Sequence, residues 1–125
     1  MTMSFNILVV EDENDVRKAI IKALRRSGLQ LTEVFEADSG EKGLQIISEQ
    51  NIDFVLVDLY LPGLNGEEMV KRMRIDPDTQ KLPVVFISGE NREDRIQMLL
   101  KKGSGFISKP FQPEILGETI INMIS

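Results

Sequence analysis

The chain of 125 residues holds no cysteine, no histidine and no tryptophan. Without cysteine there is no disulfide, no thiolate zinc site and no cysteine nucleophile. Without histidine there is no imidazole base, no serine–histidine triad and no histidine-ligated metal. A metal bound by this chain is therefore a hard ion held by oxygen ligands. Long apolar runs are missing too. Nothing approaches the roughly 20 residues of a membrane span, and the run Ile7–Val10 is too short for the core of a signal peptide and meets Glu11, Asp12 and Glu13 at once. A soluble, cytoplasmic protein is expected. Basic charge is in deficit: 15 Lys and Arg stand against 20 Asp and Glu, a net charge of -5. An acidic chain is a poor binder of nucleic acid, whose affinity rests on neutralising phosphates, so neither direct nucleic-acid binding nor membrane insertion is expected. Linkers, repeats and low-complexity stretches are also lacking. Residues 1–125 read as one domain, with no output domain in this chain.

What is present is an alternation of strand and helix signals. Ile7–Val10, Phe54–Val57 and Val84–Ile87 are continuous apolar runs, each ended by a polar residue. Short β-branched runs without polar alternation read as strands buried on both faces, as in a parallel sheet covered by helices. Two weaker strands are expected near Thr32–Glu36 and Gly105–Ser108. Between them lie helical patterns. Val16, Ile20, Ala23 and Leu24 follow helical spacing toward a capping Gly28. Ser39-Gly40 and Asn65-Gly66 open two more helices, the second carrying Met69, Val70 and Met73. Glu93–Leu100 carries Ile96, Leu99 and Leu100 and ends in Lys101 and Lys102, whose charges suit a helix C-terminus. Pro113 opens the last helix, with Leu116, Ile120 and Met123 on its core stripe and Ile115 and Ile121 off it, facing a partner. The β-α unit recurs five times. The expected fold class is α/β, a doubly wound five-stranded parallel sheet flanked by five helices.

In such sheets ligands bind outside the carboxyl ends of the strands, at the topological switch point. The residues ending the strands are Glu11 and Asp12, Asp58, Ser88 and Lys109. Three converging carboxylates repel one another unless a cation sits among them, and an all-oxygen site of this kind suits Mg²⁺. A lysine and a hydroxyl at the same edge complete what a transferring phosphoryl group needs. Asp58 can then be the nucleophile, with the donor's phosphohistidine or acyl phosphate supplied from outside.

Four stretches carry a family resemblance: Val9-Val10-Glu11-Asp12-Glu13, the run Val57-Asp58 to Asn65-Gly66, Ile87-Ser88-Gly89, and Phe106-Ile107-Ser108-Lys109-Pro110-Phe111. In this order, each at a strand end, they resemble the response-regulator receiver domain of two-component signalling and bacterial chemotaxis, over essentially the whole chain. The resemblance implies a flavodoxin-like (βα)5 fold with strand order 2-1-3-4-5. It implies that Asp58 accepts the phosphoryl group, that Glu11, Asp12, Asp58 and the backbone carbonyl of Tyr60 hold Mg²⁺ (or Mn²⁺ in its place), that Lys109 is the family's invariant lysine, and that the Lys109-Pro110 bond is cis. Ser88 and Phe106 are the implied switch residues, and Tyr60 and Glu90 the tuners of phosphoryl lifetime, the ring screening the acyl phosphate and Glu90 orienting water. The implied partners are a histidine kinase or histidine phosphotransfer protein and a downstream protein docking on the face of the fourth helix, fifth strand and fifth helix. A phosphorylation-dependent homodimer is compatible with it. Such a protein is a phosphorylation switch rather than an enzyme, catalysing only its own phosphorylation from small donors and its own dephosphorylation.

The chain departs from the family pattern in places. Its acidic pair begins with Glu11, Ser88 stands where threonine is more frequent, Phe106 lacks a hydroxyl, and Lys101-Lys102-Gly103 replaces a small Ala-Gly-Ala corner. Gly103 is expected there as a left-handed cap. A flavodoxin-like electron carrier would need a glycine- and hydroxyl-rich loop where Glu11–Asp15 stands, and a haloacid-dehalogenase-type phosphatase would need Asp-x-Asp where Asp58-Leu59-Tyr60 stands. A non-phosphorylated pseudo-receiver, acting as an interaction module, is the remaining alternative; such a module is expected to lack an acidic residue, the acceptor or the lysine, and all three are present.

Overall fold

A computed structural model describes residues 4–103 and 105–124. Ten elements alternate along the chain: β1 (Phe5–Val10), α1 (Asn14–Arg26), β2 (Leu31–Ala37), α2 (Gly40–Glu49), β3 (Phe54–Asp58), α3 (Gly66–Ile75), β4 (Val84–Ser88), α4 (Glu93–Leu100), β5 (Gly105–Ser108) and α5 (Pro113–Ile124). The five strands form one sheet in the order β2-β1-β3-β4-β5, and every pairing is parallel. The chain steps outward from β1 to β2, then returns to the other side of β1 for β3. The order reverses there, so the carboxyl ends of β1 and β3 flank an open crevice.

Alternate strand residues face opposite layers. Leu8, Val10, Val55, Val57, Val84 and Phe86 pack toward α2, α3 and α4. Ile7, Val9, Phe54, Leu56, Val85 and Ile87 pack toward α1 and α5. Burial on both faces is the reason these strands read as unbroken apolar runs, and each fully buried Val, Leu or Ile contributes about 1.5–3 kcal/mol against the exposed state. Edge strand β2 differs: Thr32, Glu33 and Glu36 are exposed, which is why its sequence signal is weaker.

The helix boundaries follow local chemistry. Ser39 caps α2 by accepting from the Lys42 amide at 3.1 Å, and Asn65 caps α3 by accepting from the Glu68 amide at 2.9 Å. Gly28, with φ of +89°, ends α1 in the left-handed region. Gly103 does not do the same after α4, since the described residues with positive φ are Gly28 and Gly63. Its role is close approach: a β-carbon there would come within 2.7 Å of the Phe86 ring. Two further expectations about α4 change. Leu100, read as part of the core stripe, is exposed, and Leu99 is the buried residue of that helix. Lys102 does not serve the helix terminus; its ammonium reaches Glu67 on α3 at 2.8 Å.

Glu67 also holds Arg95 of α4 through two bonds of 2.9 Å. Beside this seam, the Arg74 guanidinium donates to the carbonyls of Lys102 at 2.7 Å, Leu82 at 2.8 Å, Gln80 at 3.1 Å and Thr79 at 3.3 Å. The turns before β4 and β5 are thereby tied to the end of α3.

Candidate functional site

The sheet brings the strand-end residues together. Glu11 follows β1, with its amide bonded to the Ala37 carbonyl at 3.0 Å. Asp58 closes β3, and Ser88 closes β4. Lys109 follows β5, with its amide on the Ser88 carbonyl at 2.9 Å. Carboxylate oxygens of Glu11, Asp12 and Asp58 lie within 4.8 Å of one another. The Lys109 ammonium donates to Asp58 Oδ2 at 3.0 Å, and the Tyr60 amide donates to Asp58 Oδ1 at 3.1 Å. Both oxygens of a side chain that is 8 % exposed are thus engaged, while one edge stays open through Asp12, which is exposed.

Electrostatics mark Glu11 out. The residue is 2 % exposed, and its Oε2 is a buried oxygen with no hydrogen-bond partner. Its carboxyl is pushed up to about 8, first by burial and then by the neighbouring Asp58 carboxylate, against the pull of Lys109. An unmatched carboxylate oxygen in a three-acid cluster is what a hard divalent cation would satisfy. The donor set therefore fits Mg²⁺.

A side-chain bond joins the loops that follow β3 and β4. Tyr60 is 61 % exposed, yet its hydroxyl donates to Glu90 Oε2 at 2.9 Å. Arg92 holds Glu90 from the other side through its amide and its Nε, both 3.0 Å from Oε1. Three donors pull the Glu90 carboxyl down to about 2, the Arg92 amide foremost, and the bond from Tyr60 to Glu90 raises the Tyr60 phenol. Ser88 is fully buried, and its Oγ accepts from the Glu90 amide at 3.1 Å. Phe106 is half-buried against the layer of α2, α3 and α4, and the Lys109-Pro110 bond is cis. All the candidate residues thus gather at one end of the sheet, apart from Phe106, which stands in β5 two residues before its end.

Some supports escaped sequence reasoning. Arg17 of α1 donates to the Glu11 carbonyl at 2.8 Å, to Asn14 Oδ1 at 2.7 Å and to Glu36 at 2.9 Å, fixing the turn that presents the acidic pair. Gly66 opens α3 so close to β3 that a β-carbon would collide with the Asp58 carbonyl; the Asn65-Gly66 pair signals a helix start but not this contact. A cavity of about 420 Å³ between α2 and α3, bordered by Leu44, Asn51, Ile52 and Met73, lies by the start of β3, away from Asp58.

The comparisons agree with this geometry. The response regulator receiver domain family matches residues 7–121. The chemotaxis protein CheY of Pseudomonas aeruginosa is 33 % identical over 115 residues, covering 91 % of each chain. CheY-3 of Vibrio cholerae is 31 % identical over 121 residues, covering 96 % of this chain and 92 % of its own. A crystal structure from Chloroflexus aurantiacus, described as that of a response regulator, superposes with a TM-score of 0.88 at 28 % identity over 98 % of both chains. An acidic crevice at the switch point of a 2-1-3-4-5 sheet, matched along nearly its whole length, places this chain in the response regulator receiver domain family of two-component signalling.

Proposed function

We propose that the chain is a phospho-accepting receiver whose Asp58 takes a phosphoryl group from a histidine kinase or a histidine phosphotransfer protein. The observation that carries this reading is the Lys109 ammonium 3.0 Å from Asp58 Oδ2, beside carboxylates gathered within 4.8 Å. In the transfer an Asp58 oxygen forms the new bond to phosphorus as the bond from phosphorus to the donor's imidazole nitrogen breaks, and the leaving imidazole carries away its electron pair. Glu11, Asp12, Asp58 and the Tyr60 carbonyl would hold Mg²⁺, which when bound offsets the charge gathering on the phosphoryl oxygens. Lys109 offsets that charge as well, its ammonium standing 3.0 Å from Asp58 Oδ2.

Phosphorylation adds charge and three acceptor oxygens. Ser88 then exchanges its present partner, the Glu90 amide, for a phosphoryl oxygen, to which its hydroxyl donates. Phe106 moves into the space beside it. This biases an existing equilibrium and reshapes the face of α4, β5 and α5 for a downstream protein. On α5 that face carries Ile115 and Ile121, both exposed. Tyr60 and Glu90 tune the phosphoryl lifetime. With its carboxylate occupied by three donors, Glu90 acts by holding the Tyr60 ring across the acceptor rather than by orienting water.

The test is intact mass after exposure to phosphoramidate, with and without Mg²⁺, beside Asp58→Ala. A gain of one phosphoryl group requiring both Mg²⁺ and Asp58 is expected. Mg²⁺ is titrated in parallel against the emission of Tyr60, the sole tyrosine in a chain without tryptophan. A protein that neither gains mass nor responds to Mg²⁺ would be a pseudo-receiver, and the proposal would fall.

A further inference from the structure

We propose that Glu41, in the first turn of α2, is a positioning residue for the Tyr60 carbonyl and thereby sets the affinity of the acceptor site for Mg²⁺; the carbonyl's role as a ligand rests on the function proposed above. The loop from Leu59 to Asn65 joins β3 to α3 and carries that carbonyl. Leu59, Leu61 and Leu64 are buried in the layer of α2, α3 and α4, and Tyr60 stands exposed between the first two. Within the loop, Leu61-Pro62-Gly63-Leu64 has proline second and glycine third, with Gly63 at φ of +68°. This is the chemistry of a type II turn, whose fourth amide ordinarily donates to the first carbonyl. Among the described residues that bond is missing: residues 62–64 bend, and the Leu64 amide donates to Glu41 Oε1 at 2.8 Å. The turn is closed from outside, across 23 positions, by the side chain of a neighbouring helix.

Helix α2 meets this turn at both polar groups of Leu64. The Glu41 carboxylate takes the amide. Gly40 lies so near the carbonyl that a β-carbon there would come within 2.5 Å of its oxygen. An acid in the first turn suits the helix dipole wherever its carboxylate points, but the bond to Leu64 gives this one a direction. Removing the carboxylate strands an amide in a residue that is 6 % exposed, and a buried donor without an acceptor is costly. The remedy within the chain is the one a type II turn supplies, the Leu61 carbonyl. Turning that carbonyl toward Leu64 disturbs the adjoining peptide between Tyr60 and Leu61, whose oxygen is the proposed ligand. Mg²⁺ tolerates little displacement, since it demands near-octahedral oxygens at about 2.0–2.1 Å. The rest of the loop takes up no slack: the Tyr60 amide donates to Asp58 Oδ1 at 3.1 Å, and the Gly66 amide to the Leu59 carbonyl at 3.1 Å. The Tyr60 peptide is therefore held from the acceptor side by its own amide and from the far side by Glu41.

The experiment titrates Mg²⁺ against Tyr60 emission in the wild type, Glu41→Ala, Glu41→Gln and Ser39→Ala, with urea unfolding of each to report an intact fold. Glu41→Ala should bind Mg²⁺ roughly tenfold more weakly, the lower end of the range for partners that orient a metal ligand. Glu41→Gln keeps an oxygen that accepts from Leu64, without the charge, and should stay within roughly threefold of the wild type. Ser39→Ala removes the side-chain cap of α2 and spares Glu41; its urea midpoint should fall while its Mg²⁺ affinity holds. The Mg²⁺ concentration that half-saturates modification by phosphoramidate should rise in Glu41→Ala by the same factor as the dissociation constant. Equal affinity in Glu41→Ala and the wild type would overturn the proposal and leave the ligand set standing. So would an equal loss in Glu41→Gln, because Glu41 would then act by charge at a distance, or an equal loss in Ser39→Ala, because any loosening of α2 would then suffice. A wild type that does not respond to Mg²⁺ would remove the ligand set itself, and the role of Glu41 with it.

Discussion

Buried at the end of β1 with one oxygen unmatched, the Glu11 carboxyl keeps its proton far above the ordinary carboxylate range. In the unfolded chain the group ionises near 4.5, and in the folded protein near 8. Between these values the folded state binds more protons than the unfolded one, so metal-free stability falls as pH rises through that window. Thermal unfolding in chelator across that range should show this slope, Glu11→Gln should flatten it, and millimolar Mg²⁺ should flatten it in the wild type. An unchanged slope in Glu11→Gln would assign it to other groups. A second residue-scale prediction concerns Tyr60, whose ring is held by its hydroxyl on Glu90 at 2.9 Å. Phosphoryl decay in Tyr60→Asn should be severalfold faster than in the wild type, followed by the loss of phosphorylated mass with time, and unchanged decay would remove the ring from the account. At this scale sequence reasoning reached far. Asp58 and Ser88 end strands, Glu11, Asp12 and Lys109 directly follow them, and a parallel sheet collects strand ends. It did not reach the bond from Tyr60 to Glu90, because a hydrogen bond across 30 positions leaves no periodic trace.

Helix α4 depends visibly on side-chain ties. No side chain caps its N-terminus, and Leu99 is its buried residue. Its N-terminal half is held through Arg95 to Glu67, with Lys102 joining from the turn beyond. The two cations hold the Glu67 carboxyl down to about 2, Arg95 first and Lys102 second. This is a group with a depressed folded value. Its stabilisation is present above the unfolded value of 4.5 and is lost as pH falls through about 2. Glu67→Gln should therefore cost about 1 kcal/mol in urea unfolding at neutral pH, the upper end for a solvent-screened pair. The gap to the wild type should narrow as the acid range is entered, and amide exchange should rise in α4 ahead of the other helices. A gap independent of pH would mean that packing, not charge, joins the two helices. The sequence conveyed the existence and the bounds of α4 but not its attachment. Arg95 and Lys102 stand 28 and 35 residues from Glu67, and the lysine pair reads as ordinary C-terminal charge. The exposure of Leu100 escaped for a related reason: spacing places a residue on a stripe, but the width of the neighbouring layer decides how much of the stripe is covered.

For the whole molecule, the legible part was the layered architecture. Three unbroken apolar runs required burial on both faces, and five β-α units wind into a sheet by right-handed crossovers. The strand order itself rests on the family resemblance, since runs buried on both faces look alike whichever neighbours they take. What stayed hidden is how the loops at the far end of the sheet are fastened. Arg74 fastens them with four carbonyls and, among the described residues, no carboxylate. A cation matched by dipoles has no partner for acid to protonate, and its short, partly buried contacts give mobile ions little to screen. The two fastenings beside α3 thus obey different solvents. Acid or salt loosens the bridge from Glu67 to α4, while the turns ahead of β4 and β5 stay moored. Under those conditions the residue just past α4, Lys102, should keep its place through its carbonyl on Arg74, while Arg95 near the start of the helix is released.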